Sequence, residues 1–196
     1  CGSLAVHWDD ERLAAPDARP DAVVLSYPVV SPREAAGAGS IYVAEKLTAN
    51  EPEILRIEND PLGMPCQDSC LEFFFCPVPG DPRYLNIEFN FNGCMYLGMG
   101  SGLPDLTRLI PDQEGNPFSP QIQKTGTGWE IFYQIPWSFV RRFFPDFKAE
   151  KGVQIRANCY KCGDETAIPH FISWNKIDSD IADFHQPEHF GLMVLE

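Results

Sequence analysis

Residues 84–96 read YLNIEFNFNGCMY, and they alternate so strictly that they divide into two sets. Leu85, Ile87, Phe89 and Phe91 fall on one side, and Tyr84, Asn86, Glu88, Asn90 and Asn92 on the other. Side chains two apart on a strand share a face, so the apolar set predicts a row turned to the core and the polar set a row on the opposite face. Asparagine is a poor strand residue because its amide draws the backbone into turns. A row of amides around a carboxylate therefore asks for a purpose beyond solubility. The stretch SCLEFFFCP (69–77) repeats the pattern, with Leu71, Phe73 and Phe75 alternating with Cys70, Glu72, Phe74 and Cys76. With both apolar rows turned inwards, Glu72 joins Glu88 and Asn90 on the outer, solvent-facing side of one sheet.

The rest of the chain extends this reading. Eighteen prolines and 15 glycines punctuate it at short intervals and leave little room for long helices. Further strands are predicted at 21–29, 40–48, 52–59, 128–136, 152–162, 170–177 and 189–196. Short strands separated by turn signals point to an all-β protein, an antiparallel β-sandwich of two packed sheets. The exception is PWSFVRRFFP (136–145), where Phe139, Val140, Phe143 and Phe144 recur at helical spacing between two prolines, predicting one short helix near 137–144 that plugs an end of the sandwich. The 196 residues suit a single domain over 1–196, with the Ala-, Pro- and Asp-rich residues 1–39 forming a loosely structured arm that lends a strand or two to a sheet edge.

Composition excludes several functions. Fifteen basic against 28 acidic residues give a formal charge of −13, which repels nucleic acid and anionic membranes. No apolar run approaches the roughly 18 residues of a membrane helix, so no membrane span is expected. Seven cysteines, an odd number in a chain too large to need staples, read as mostly free, buried thiols and favour the cytoplasm. Cys1, in CGS, leaves open the alternative of a processed bacterial lipoprotein outside the cell.

The motifs that could carry chemistry are weak by spacing. In CYKC (159–162) the two cysteines lie an odd number apart on a strand and point to opposite faces. In HQPEH (185–189) Pro187 spoils the helix on which His185 and His189 would converge. No nucleophile elbow, zinc-protease helix or phosphate loop is present, and with 28 acidic residues any carboxylate pair is uninformative, so no enzyme activity is expected. The polar face offers more. Glu72, Glu88 and Asn90 present acceptors and an amide that both donates and accepts, which matches a row of sugar hydroxyls. HFISWNKI (170–177) adds a flat aromatic in Trp174, flanked by His170 and Asn175, for the apolar face of a sugar ring. Trp174 is on this evidence either that platform or a core residue.

Four blocks in order, DSCLEFFF (68–75), YLNIEFN (84–90), NCYKCGDETAIPHFISWN (158–175) and DFHQPEHFG (183–191), resemble carbohydrate-binding module family 9-like domains over roughly residues 40–196. The resemblance implies a DOMON-like, immunoglobulin-like antiparallel sandwich that binds mono- or oligosaccharides without catalysis, often with structural calcium and in the company of glycoside hydrolases. In that family two tryptophans clamp the sugar while a glutamate and asparagines hydrogen-bond it. By position these functions fall on Trp174, Glu72 and Asn90, whereas the first tryptophan's place, six before Glu72, is held by Cys66. DOMON-like relatives also bind haem, so an alternative is a sandwich whose altered site serves as an interaction or haem-binding domain, with Met95, Met99 or the C-terminal histidines as axial ligands.

Overall fold

The computed structural model describes residues 62–110, 116–124, 128–166, 169–179 and 183–195, together with the backbone of short strands at 23–24, 28–29 and 40–47. In chain order the strands are β1 (Val23–Val24), β2 (Pro28–Val29), β3 (Ser40–Leu47), β4 (Cys70–Cys76), β5 (Tyr84–Asn90), β6 (Met95–Gly100), β7 (Thr107–Arg108), β8 (Gln121–Lys124) and β9 (Trp129–Pro136). The helix α1 (Trp137–Phe143) follows directly, and β10 (Gln154–Gly163), β11 (His170–Ser173) and β12 (Gly191–Val194) complete the chain. One sheet runs β1-β3-β9-β8 with β2 also on β3, and the larger runs β11-β10-β4-β5-β6-β7 with β12 also on β10. Among the described residues every pairing is antiparallel.

The two sheets close on one core. Leu71, Phe73 and Phe75 of β4, Leu85, Ile87 and Phe89 of β5, and Ile155, Ala157 and Cys159 of β10 face Trp129, Ile131, Tyr133 and Ile135 of β9. Fully burying one such large apolar side chain contributes about 1.5–3 kcal/mol, so these rows dominate the stability of the sandwich. In β9 the intervening residues are half-exposed, the expected one-sided strand. The helix is where the proline-bounded stretch predicts it. Pro136 precedes its first turn, and Trp137 and Val140, three apart, turn inwards to cap the core.

The larger sheet departs from the sequence reading. Every residue of β4 and β5 is buried, so its central strands are covered on both faces rather than on one. At one end of the outer face, Phe74, Cys76, Tyr84, Tyr160 and Phe190 form a second apolar cluster with Leu106, Ile177 and Phe184 against it. At the other end lies the segment 62–69, whose single 3₁₀ turn at Pro65–Gln67 packs on β4, β5 and β10. The polar row that reads as solvated is under a roof.

Nor is 84–96 one strand. It ends at Asn90 and turns back through 91–94 into β6. The Asn90 side-chain oxygen accepts the backbone N–H groups of Asn92 (3.0 Å) and Cys94 (2.9 Å), while its main-chain carbonyl accepts that of Gly93 (3.0 Å). Gly93 has φ +81, a left-handed conformation that glycine adopts without strain. The turn tendency of asparagine is thus used at the strand end. The strands β7 and β8 are too short and too polar for periodicity to reveal, and β11 stops at Ser173 rather than 177. The strand expected at 52–59, and the arm at 1–39 apart from β1 and β2, lie outside the described residues.

Asn90→Ala removes the acceptor of one buried and one part-buried backbone donor. The expected cost is about 2–4 kcal/mol in urea unfolding. A loss below roughly 0.5 kcal/mol, the level of a neutral surface change, would show that the side chain does not hold the turn.

Candidate functional site

Strand register decides which side chains meet on the outer face. Glu72 of β4 stands directly opposite Glu88 of β5 and Tyr160 of β10, and Cys70 stands opposite Asn90 and Cys162. Paired residues share a face, so two glutamates and two cysteines come together there. Burial is nearly complete, with Glu72 3%, Glu88 5% and Asn90 0% exposed. The Cys162 thiol donates to Glu72 Oε1 at 2.8 Å. The roof is tied down by Asp164 N–H and Glu165 N–H donating to the carbonyls of Cys66 and Gln67, and by Trp129 Nε1–H donating to Ser69 Oγ at 3.0 Å.

Such a face is electrostatically costly. Like charges directly opposite on a sheet repel, and burial removes the water that would screen them. The Glu88 carboxyl is accordingly pushed up to about 7, chiefly by burial. The Asn86 amide and the Arg108 guanidinium pull it down and Asp164 pushes it up. Asn86 does this from short of hydrogen-bond geometry, since its buried amide makes no such bond among the described residues. Cys70 is likewise pushed up to about 12 by burial, and Cys162 is raised well above the ordinary thiol range by its Cys70 neighbour and by burial.

The residues expected to form one sugar site divide between two places. Glu72, Glu88 and Asn90 share the outer face, but they are sealed rather than solvent-facing, because the roof and the aromatic cluster cover what alternation alone makes an outer row. Trp174 is not with them. Its N–H donates to the carbonyl of Cys159, extending the β11–β10 ladder, and its ring is half-buried against the main core. A Cβ on Gly191 would lie 2.8 Å from Trp174 Cζ3, so β12 needs glycine where the ring crosses it. Asn175 is next to Trp174 and makes a reciprocal pair with Asn158. Its N–H donates to Asn158 Oδ1 (2.8 Å), Asn158 Nδ2 donates to its carbonyl (2.9 Å), and its own Nδ2 donates to the carbonyl of His189 (2.7 Å). His170 is half-buried with Nε2 2.6 Å from Lys161 Nζ.

The weak motifs resolve in the same geometry. Cys159 pairs with Phe73 on the core face while Cys162 pairs with Cys70 outside, so CYKC splits as strand parity requires. His185 Nδ1 lies 2.7 Å from the Tyr84 hydroxyl and stacks near Phe74, and burial pushes its pKa down. Met95 and Met99, the methionines considered for haem, pack against the main core. Spacing could not reveal the meeting of Cys70 with Cys162, because it arises only when two strands far apart in the chain pair in one register.

Calcium does not fit the sulfur-bearing cluster on this face. Among the described residues the one cluster of metal-ligating side chains is Cys70, Glu72 and Cys162, two sulfurs and a carboxylate, whereas calcium takes shells of six to eight oxygens. Among the described residues no helix is long and apolar enough to cross a membrane.

The architecture is a two-sheet antiparallel sandwich, and its family follows from the sequence it carries. The chain belongs to carbohydrate-binding family 9, whose model matches residues 27–195. Among solved structures it is similar to a protein from Bacteroides uniformis provisionally described as carbohydrate-binding, at 25% identity and a TM-score of 0.59 over 81% of this chain and 73% of that one. A family 9 module from Caldicellulosiruptor kristjanssonii, solved with glucose, shares the fold at 12% identity and a TM-score of 0.50 over 84% and 80% of the two chains. No curated protein matches the chain.

The Glu88 shift has a definite sign. A carboxyl whose folded pKa rises from 4.5 to about 7 favours folding when protonated, so its contribution is fully present below about pH 4.5 and is lost as the pH climbs to about 7. The groups around it are Asn86, Glu72, Cys66, Cys70, Tyr96, Arg108 and Asp164. In chelator and reductant, Glu88→Gln should therefore exceed the parent in stability near pH 8 by on the order of 3 kcal/mol and differ little at about pH 4.5. Parallel pH–stability curves for the two proteins would refute this.

Proposed function

We propose that the chain is one sandwich domain that binds carbohydrate without catalysis, and that its sugar surface runs along β11 around Trp174 rather than over the roofed face of Glu72, Glu88 and Asn90. The observation that carries the reading is membership of carbohydrate-binding family 9 over nearly the whole chain. A half-exposed tryptophan pinned against a glycine of the neighbouring strand is the platform that the apolar face of a sugar ring requires. In the chain Asn175 follows it and His170 lies four residues before it, side chains of the kind that complement hydroxyls, which both donate and accept. Holding a sugar without cleaving it suits an accessory partner of glycoside hydrolases.

One aromatic platform with a few half-exposed polar groups supports millimolar to micromolar affinity, roughly 4–8 kcal/mol. A panel of mono- and disaccharides, followed by calorimetry and by the Trp174 indole N–H resonance, tests the reading. Binding should move that resonance, and Trp174→Ala should abolish binding while costing about 1–3 kcal/mol of stability, less than a fully buried aromatic because the ring is only partly covered. Silence across the panel at millimolar sugar would sink the function. Undiminished binding by Trp174→Ala would move the site elsewhere on the sandwich.

A further inference from the structure

The cluster that excludes calcium has a donor set of its own. Cys70 and Cys162 are in-register partners on β4 and β10, and Glu72 is the next residue along the same face of β4. Their sulfur atoms and a carboxylate oxygen all lie within 4.8 Å of one another, and all three residues are buried. A tetrahedral ion with metal–sulfur bonds of about 2.3 Å and a metal–oxygen bond of about 2.1 Å needs its ligand atoms roughly 3.5–4 Å apart. The separations present, 2.8 Å between Cys162 Sγ and Glu72 Oε1 and no more than 4.8 Å for any pair, bracket that spacing, and the Cys162–Glu72 hydrogen bond would open to admit the ion. A second observation points the same way. Glu88, directly across from Glu72 and 5% exposed, leaves Oε2 without a hydrogen-bond partner among the described residues. Buried polar atoms are almost always satisfied, so a face carrying this many acceptors under a roof has a place for a cation.

We propose that Cys70, Cys162 and Glu72 form a binding site for a zinc-like divalent cation that staples β10 to β4 beneath the 62–69 segment. Two sulfurs and one oxygen select a borderline-soft, tetrahedral ion over calcium or magnesium, which take oxygen shells. The charges balance simply. Each thiol loses its proton to solvent, as does the Glu72 carboxyl if it holds one, and the divalent ion takes three anionic ligands with water in the fourth position. The ion replaces the Cys162 proton that now bridges sulfur and Glu72. The buried Lys161 ammonium, whose field reaches Cys70, offsets the remaining negative charge. The site owes nothing to sugar binding and stands or falls separately from it.

The test uses the full chain, reduced and stripped of metal with chelator, then titrated with cobalt(II) and back-titrated with zinc. One equivalent of cobalt should bring up a thiolate-to-cobalt charge-transfer band and the intense visible bands of tetrahedral cobalt, and zinc should bleach both. Cys70→Ser and Cys162→Ser should each lose the charge-transfer band's full intensity, and Glu72→Gln should weaken the affinity by at least the roughly tenfold that loss of an outer hydrogen-bond partner alone costs a metal site. No charge-transfer band in the folded parent at stoichiometric cobalt overturns the proposal, and so does a full band in the Cys70→Ser/Cys162→Ser double variant. Should that variant not fold, alkylation of the parent followed by mass spectrometry decides. Zinc should shield Cys70 and Cys162, and shielding of other cysteines in their place overturns the site.

Discussion

The in-register pairing of β10, β4 and β5 is the constraint on which the rest of the molecule depends. Once Phe73 stands between Ile87 and Cys159 on the core face, the neighbouring position on each strand has no choice of side. Glu72, Glu88 and Tyr160 are driven together outside, as are Cys70, Asn90 and Cys162. A slip of one residue would put the carboxylates into the core and the phenylalanines under the roof. The hydrophobic rows that hold the sandwich together therefore also assemble its most polar cluster.

Covering that cluster is what separates this sheet from an ordinary half-solvated one. The aromatic group of Phe74, Tyr84, Tyr160 and Phe190 seals one end, and the 62–69 segment seals the other. Sealing raises the Glu88 carboxyl and the Cys70 thiol chiefly through the loss of water around a charge, and it adds to the effect of the Cys70 neighbour in raising Cys162. It also leaves the rim as the more accessible part of this sheet. There Trp174, directly after β11, lies against Gly191, and the Asn158–Asn175 pair fixes the segment that follows. The sheet thus has a buried polar interior and a more exposed aromatic edge, and the proposed ion and sugar sites rest on these two features.

Much of this was legible in the chain. Strict alternation in 69–77, 84–90 and 128–136 placed the core rows correctly, and the proline-bounded phenylalanines at 136–145 placed the helix. Even the split of CYKC followed from parity. These are local signals, carried by residues a few positions apart whose period the backbone geometry dictates. Alternation was less able to end a strand, and the turn at 91–94 was hidden because Phe91 continued the apolar row past Asn90.

What the sequence by itself determined was which residues share a face, since that depends only on the two-residue repeat of an extended chain. What only the tertiary structure decided was what each face meets. Parity assigns Glu72, Glu88 and Asn90 to an outer side but is silent on whether water or a roof lies beyond it, and it leaves Trp174 undetermined between core and platform. Those outcomes come from contacts between segments far apart in the chain: 62–69 and 183–190 folding over β4 and β5, Gly191 arriving beneath Trp174, and Cys162 reaching Cys70 across a strand pair. The physical reason is that burial and cross-strand partnership are properties of the assembled sheets, and no spacing within one strand encodes them.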